Sequence, residues 1–312
     1  MLASLFAISA NGEPLAYSVN SDSLNGATTD SLYAIDLATG TEQRRGTLFT
    51  GISIPIDTEG LAIAPDETLW GIDDDSLKLF PINKNSGSVS FSSQISLSGF
   101  STLGGNDFGM TFTCDNTLYV STVRTQSLHR VNQIDGSSEV VGGVGAMGVN
   151  ISAIAAHGNP TRLYGLGNGQ FENGSSDSPN LYSIDTGTGV ATLIGPLGSA
   201  AGAYNQGGLA FDDGGNLWAI TDRGIINGVL AELPSQILRI DITTGQATLV
   251  HTTIEVGFES LAIAAPGACS PVPDLPYYHT DETIPTLSST GRLFTVILLM
   301  LAGMLMLRKR FS

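Results

Sequence analysis

The sequence predicts an all-β fold: a β-propeller of about five four-stranded blades closed by the C-terminal strand, followed by a linker and a C-terminal transmembrane helix. Three observations carry this reading. Apolar runs containing Leu and an aromatic recur as Leu5-Phe6, Leu69-Trp70, Leu118-Tyr119, Leu163-Tyr164 and Leu217-Trp218. A second run ending in Asp or Asn follows each, at Asp36, Asn83, Asn132, Asp185 and Asp241, and leads into a turn glycine. Those glycines, Gly40, Gly87, Gly136, Gly189 and Gly245, stand 47, 49, 53 and 56 residues apart in the numbering. Repeats near this length with about four strands each are the signature of propeller blades.

The elements follow in order. Runs of four to eight residues rich in Leu, Ile, Val and aromatics sit between Gly, Asp, Asn and Thr turns and show no helical period, so they read as strands. Adjacent apolar residues such as Leu69-Trp70 suit sheets covered on both faces, as stacked blades are. Asp or Asn before a turn bonds the backbone two residues on, and Gly supplies positive φ. In the second unit the strands are expected at Gly60–Ala64, Thr68–Ile72, Ser76–Ile82 and Ser88–Ile95. The first unit begins at Leu5 with a strand of the second type and lacks its first strand. Ser260–Ala265 matches Gly60–Ala64 and is left over at the far end. Joining the two completes five blades and removes an exposed sheet edge.

The propeller spans residues 1–266, a Pro-rich linker 267–283 and a tail 284–312 whose membrane helix is 292–307. Pro266, Pro271, Pro273 and Pro276 make the junction an extended spacer. From Leu293 to Leu307 no residue is charged, and Arg308-Lys309-Arg310 follows. Fifteen helical residues rise about 22 Å, short of the roughly 30 Å hydrocarbon layer, and flanking Arg292 and the basic end extend the span by snorkelling. Basic flanks stay cytoplasmic, so the body belongs on the other side of the inner membrane. Leu2–Ala10 matches a blade strand and supplies no signal peptide, so an export signal is expected upstream of Met1.

The tail keeps Ile284-Pro285-Thr286-Leu287, then Gly291, the apolar run and Arg308, Lys309 and Arg310; Thr290 precedes Gly291. This order of parts resembles the IPTL-CTERM sorting domain, a relative of the PEP-CTERM tails handled by exosortases, in which Trp usually precedes that glycine. The resemblance implies a Gram-negative envelope protein, exported, held at the inner membrane, and cleaved by an exosortase-type enzyme on its way to the envelope or surface. It covers only residues 284–312 and implies nothing about the propeller, whose repeat resembles bacterial secreted propellers in a general way.

Composition narrows the partners. The formal charge is −16, and of 13 Lys and Arg residues only nine precede Arg292. That is too few for a phosphate-tracking surface, so nucleic acid is excluded as a partner. No HExxH, GxSxG, CxxC, Walker or EF-hand pattern occurs, and the run Gly165–Gly169 reads as a loop. Asp73-Asp74-Asp75 reads as a solvated hairpin turn, and His129, His157, His251 and His279 as surface or strand-end residues.

One constellation has metal-ligating character. Aligned first strands put Glu59 level with Glu259, while Asp107, Asn150 and Gln206 precede the corresponding strands of the other blades. First strands line the central channel, so the five converge on one mouth, either binding water or holding Ca²⁺. Glu59-Gly60 resembles the early-strand Glu of gluconolactonase-type propellers, which implies a catalytic metal, although those enzymes have six blades. Cys114 and Cys269 fall on one rim near the axis, as a disulfide or as two thiols.

The function expected is therefore non-catalytic interaction or adhesion, toward a protein or glycan, with no obligate cofactor. The alternative is a metal-assisted hydrolase, lactonase- or esterase-like, at the channel mouth. The long loops Ser18–Asp30, Gly167–Asn180 and Arg223–Ser235 are expected to carry partner contacts.

Overall fold

A computed structural model describes residues 14–20, 30–50, 54–169, 179–226 and 229–269. The tail with Ile284, Pro285, Thr286, Leu287, Gly291, Arg308, Lys309, Arg310 and the helix 292–307, together with Leu5–Ala10 and His279, lies outside the described residues. Among the described residues no helix is long and apolar enough to cross a membrane.

The chain forms a five-bladed β-propeller of small antiparallel sheets. Blade two is Thr58–Ile63, Leu69–Asp73, Lys78–Ile82 and Ile95–Ser96. Blade three is Phe108–Phe112, Leu118–Thr122, Ser127–Val131 and Ser138–Val140. Blade four is Ile151–His157, Arg162–Gly167, Asn180–Ile184 and Ala191–Pro196. Blade five is Gly207–Phe211, Leu217–Thr221, Gln236–Ile240 and Ala247–Thr252.

Blade one corrects the expected start. Its three sequential strands are Leu15–Asn20, Ser31–Asp36 and Glu42–Thr47; the strand of the second type is Leu15–Asn20, not one beginning at Leu5. Here Ala16 separates Leu15 from Tyr17, so the paired-apolar signature is broken. The missing inner edge comes from the far end of the chain. Ala262 N–H donates to the Tyr17 carbonyl at 2.9 Å and Tyr17 N–H donates back at 2.7 Å. The Ser260 hydroxyl oxygen accepts from Val19 N–H at 3.1 Å. The pairing consists of bridges at Tyr17–Ala262 and Asn20–Phe258, shorter than the expected Ser260–Ala265 strand.

The outer strand of blade two also departs from expectation. Instead of a continuous Ser88–Ile95 strand, Val89 bridges Ile82, a 3₁₀ turn covers Phe91–Ser93, and pairing resumes at Ile95–Ser96. The serine-rich stretch 86–94 has too few apolar or β-branched side chains to fill a pleated face. Gly165–Gly167, read as loop, ends a strand.

The turns follow the repeat closely. In every blade the turn glycine N–H donates to the carbonyl of the Asp or Asn four residues earlier, at 2.8 Å for Asp36, Asn83, Asn132, Asp185 and Asp241 alike. The Asp185 carboxylate also accepts from Gly187 and Thr188 N–H at 2.9 and 2.7 Å, and these bonds hold its pKa below the ordinary value.

The core lies between blades. Five buried clusters join blades one and two, two and three, three and four, four and five, and five and one. In the last, Trp218, Ile220 and Ile237 of blade five meet Tyr33 and Ile35 of blade one, with Phe258 and Leu261 between them. Neighbouring inner segments approach most closely at glycines. A Cβ on Gly109 would stand 2.7 Å from Ala153 Cα, and one on Gly208 2.3 Å from Leu261 N.

His129 is a correction to the surface reading. It is 3 % exposed and stacks on Phe100 with ring centroids 4.3 Å apart. Burial pushes its pKa down to about 4, whereas an unfolded chain titrates His near 6.5. Between these values the unfolded state takes up the extra proton, so stability falls as pH is lowered. This group alone removes about 2 kcal/mol at pH 5. Burial raises the pKa of Asp73 and Asp74, which acts in the opposite sense, so the expected result is a difference. His129→Gln should lose less stability than the parent from pH 7 to pH 5 in urea melts, and equal losses would refute the assignment.

Candidate functional site

Each first strand starts on one face of the propeller, and each second strand returns to it. The starts of first strands, the connections from second to third strands, and the links between blades therefore share that face. The opposite face holds the turn glycines, the hairpins after first strands, and the exit of the chain.

This topology collects the long loops. The connections 20–31, 167–180 and 221–236 all join second to third strands, in blades one, four and five. The equivalent connections of blades two and three, Asp73–Lys78 and Thr122–Ser127, are short. The strand ends that these three connections join thus lie on the face of one channel mouth.

At that mouth Glu59 and Glu259 line the same axial recess, with Gly60, Ser152, Gly208 and Ser260. Gln206 Nε2 donates to Glu259 Oε2 at 3.5 Å. Asp107 has a left-handed backbone, φ 44°, and its N–H lies 3.4 Å from Asp74 Oδ2. Asn150 is engaged differently: its amide oxygen accepts from Gln126 Nε2 at 2.8 Å, and its carbonyl accepts from Asn168 N–H at 3.2 Å. Glu59, Glu259 and Gln206 are therefore brought together, Asp107 joins through its backbone, and the Asn150 amide oxygen already accepts a bond.

The tightest oxygen cluster includes two residues absent from the aligned set. Carboxylate oxygens of Asp57, Glu59 and Asp74 lie within 4.8 Å of one another. Asp74 is 5 % exposed, which corrects the solvated-turn reading of Asp73–Asp75; only Asp75 faces solvent. Asp74 accepts from Asn106 N–H at 3.0 Å, and Asp73 from Ser76 N–H at 2.7 Å. Burial raises the Asp74 pKa first, the Asn106 and Asp107 N–H groups lower it, and the charges of Asp75 and Asp73 add to the rise. Strand alternation, which sets Asp57 beside Glu59, was the available signal. Nothing local to the sequence brings Asp74 to them. Three clustered carboxylates suit a hard cation or an ammonium group, because either neutralises like charges held together.

The other end of the axis is structural. Ala264–Gly267 lines a recess there with Ile63, Phe112, Ala156 and Phe211. Cys114 and Cys269 form a disulfide with Cα atoms 5.1 Å apart, and Gly158 N–H donates to Gly267 at 3.2 Å. Of the described histidines, His157 stacks on Phe211 at 4.6 Å on this side, and His129 Nδ1 lies 3.2 Å from the Ser138 hydroxyl in the outer strands of blade three.

No protein-family pattern matches the chain, and no curated protein does. Among solved structures it is similar to a virginiamycin B lyase from Staphylococcus aureus, with 17 % identity over 70 % of this chain and 62 % of that one, TM-score 0.39. The chain thus spans less than two thirds of that lyase. A gluconolactonase from Xanthomonas campestris gives 12 % identity over 81 % and 84 % of the two chains, TM-score 0.46. A protein of unknown function from Bacteroides caccae gives 10 % over 80 % and 98 %, TM-score 0.46. Likenesses this distant transfer no residue role and no activity. What stands is a five-bladed propeller with one acidic mouth among its described residues.

Proposed function

We propose that this chain is an exported, envelope-sorted propeller that binds a protein or glycan through its loop face and performs no chemistry of its own. One observation carries this: among the described residues, the strand ends joined by the three long connections of blades one, four and five lie on the face that holds the carboxylate-lined mouth, while the opposite face has tight turns and the tied chain exit. Long loops on a rigid scaffold are where recognition is usually built. The sorting part of the reading rests on Ile284–Leu287, Gly291 and the basic end, and makes the inner membrane and an exosortase-type enzyme the tail's partners.

A second reading, a metal-assisted hydrolase, is favoured by the Asp57, Glu59 and Asp74 oxygens lying within 4.8 Å of one another. Ca²⁺ is its natural ligand, through several converging hard oxygens.

Photo-crosslinkers at Leu103, Val144 and Leu233 on the loop face should capture a partner in the source cells. The same groups at Ile134 and Val190 on the opposite face should not. A screen on lactones, phosphate esters and glycosides should show no turnover. Capture confined to Ile134 and Val190, or turnover lost with EDTA and in Glu59→Gln or Glu259→Gln, would reverse the reading.

A further inference from the structure

The chain leaves the ring across the end of the axis opposite the acidic mouth, as a strap of small residues. Ala264, Ala265, Pro266 and Gly267 are half-buried and Ala268 is exposed. Ala264–Gly267 lines one side of a recess whose other walls include Ile63, Phe112, Ala156 and Phe211, each at most 6 % exposed. His157 lies against the same segment: a Cβ on Gly267 would stand 4.0 Å from its ring.

Little besides the disulfide holds the strap. Alanine, proline and glycine remove little apolar surface from water, and only Ala264 and Ala265 of the strap pack against the buried clusters. Among the described residues one backbone hydrogen bond ties 264–269 to the ring, from Gly158 N–H to the Gly267 carbonyl at 3.2 Å. Segments with so few buried contacts open at low cost. The bond from Cys269 to Cys114 is the strong restraint.

That restraint also fixes an unfavourable backbone. Ala268, between Gly267 and Cys269, has φ 55°, a left-handed conformation that L side chains disfavour. Such an outlier persists where its surroundings impose it, and here its next residue is the bonded cysteine. Both cysteines are half-buried rather than sealed in the core. Strained or accessible disulfides are the ones most readily reduced.

We propose that the Cys114–Cys269 disulfide is a redox latch, opened by a dithiol reductant to release the strap 264–269 while the propeller ring stays closed. A thiolate of the reductant attacks the Cys269 sulfur, the S–S bond breaks, and Cys114 leaves as a thiolate that takes up a proton. The reductant's second thiol then attacks the mixed disulfide, freeing Cys269 as a thiol and leaving the reductant oxidised to its own disulfide. Once released, Ala268 relaxes out of the left-handed region, the Gly158–Gly267 bond is lost, and Ile63, Phe112 and Phe211 face an open recess. The ring closure lies upstream of the strap: Ala262 and Tyr17 exchange both of their backbone bonds, and Phe258 and Leu261 are buried.

The test follows single amides by hydrogen exchange in the full chain, oxidised and after reduction with millimolar dithiothreitol at room temperature. Gly158 N–H should exchange at least about tenfold faster in the reduced protein, while Ala262 and Tyr17 N–H keep their rates within about twofold. Far-ultraviolet circular dichroism should not change. Unaltered exchange at Gly158 would show that the strap stays down without the disulfide, and equal acceleration at Ala262 and Tyr17 that the bond merely closes the ring. Either result overturns the proposal, as does a disulfide that dithiothreitol reduces only in the urea-unfolded chain. Ala268→Gly removes the left-handed penalty, so it should shift the equilibrium with dithiothreitol toward the oxidised form by about fivefold. An unchanged equilibrium, or a shift toward the reduced form, would sink the latch.

Discussion

Removing residues 257–312 abolishes the cooperative melting transition of the propeller and exposes apolar surface that binds hydrophobic dyes. Phe258, Leu261 and Ala262 are each at most 2 % exposed. Phe258 meets Tyr33 edge-on with centroids 5.2 Å apart. Truncating one such buried Phe to Ala costs about 3–5 kcal/mol, against a total stability of about 5–15 kcal/mol for a typical domain. Deletion also leaves Leu15–Asn20 as an open edge, since Tyr17 loses both of its bonds to Ala262. Phe258→Ala alone should lower the melting temperature by about 10 °C. Deleting only 284–312 should leave it unchanged. A protein lacking 257–312 that melts like the parent would show that the ring is not closed by this segment.

Replacing Cys114 and Cys269 by Ser lowers the melting temperature by about 10–20 °C, the second largest effect expected. The two cysteines are 155 residues apart, and closing a loop of that size removes about 5 kcal/mol of unfolded-state entropy in the chain-entropy model. At about 2–4 °C per kcal/mol for a domain of this size the shift follows. Cys114→Ser alone and the reduced parent should melt at the same temperature as the double variant. A shift below 2 °C in all three would mean that the unfolded chain gains nothing from losing the link.

Much of this architecture was legible because the blade repeat is written in local chemistry. Asp or Asn followed four residues on by Gly specifies a turn whatever the rest of the chain does, and those turns set blade number and order. The end-to-end closure was legible too, because Ser260-Leu261-Ala262 copies Gly60-Leu61-Ala62. The first blade's entry was misplaced because Ala16 interrupts the Leu–aromatic pair, and a small buried residue fits the inner sheet as well as a large one. The mouth was half legible. Glu59 and Glu259 sit at equivalent blade positions and Gln206 one residue before the equivalent position of blade five, which alignment of the repeat reveals. Asp74 comes from a turn that composition marks as solvated, and only tertiary packing buries it. His129 was missed for the same reason: its burial depends on Phe100, a residue of an irregular connection.

The disulfide also sets where tension enters the molecule. A pull on the chain beyond Cys269 would otherwise fall directly on Phe258–Ala262, peeling the closing segment from Leu15–Asn20 one bond pair at a time. With Cys269 covalently joined to Cys114, the load passes into blade three instead. There Phe108–Phe112 is buried along its length and held edge to edge by Leu118–Thr122. A load applied at Cys269 thus enters the ring through the disulfide to blade three rather than through the closing segment.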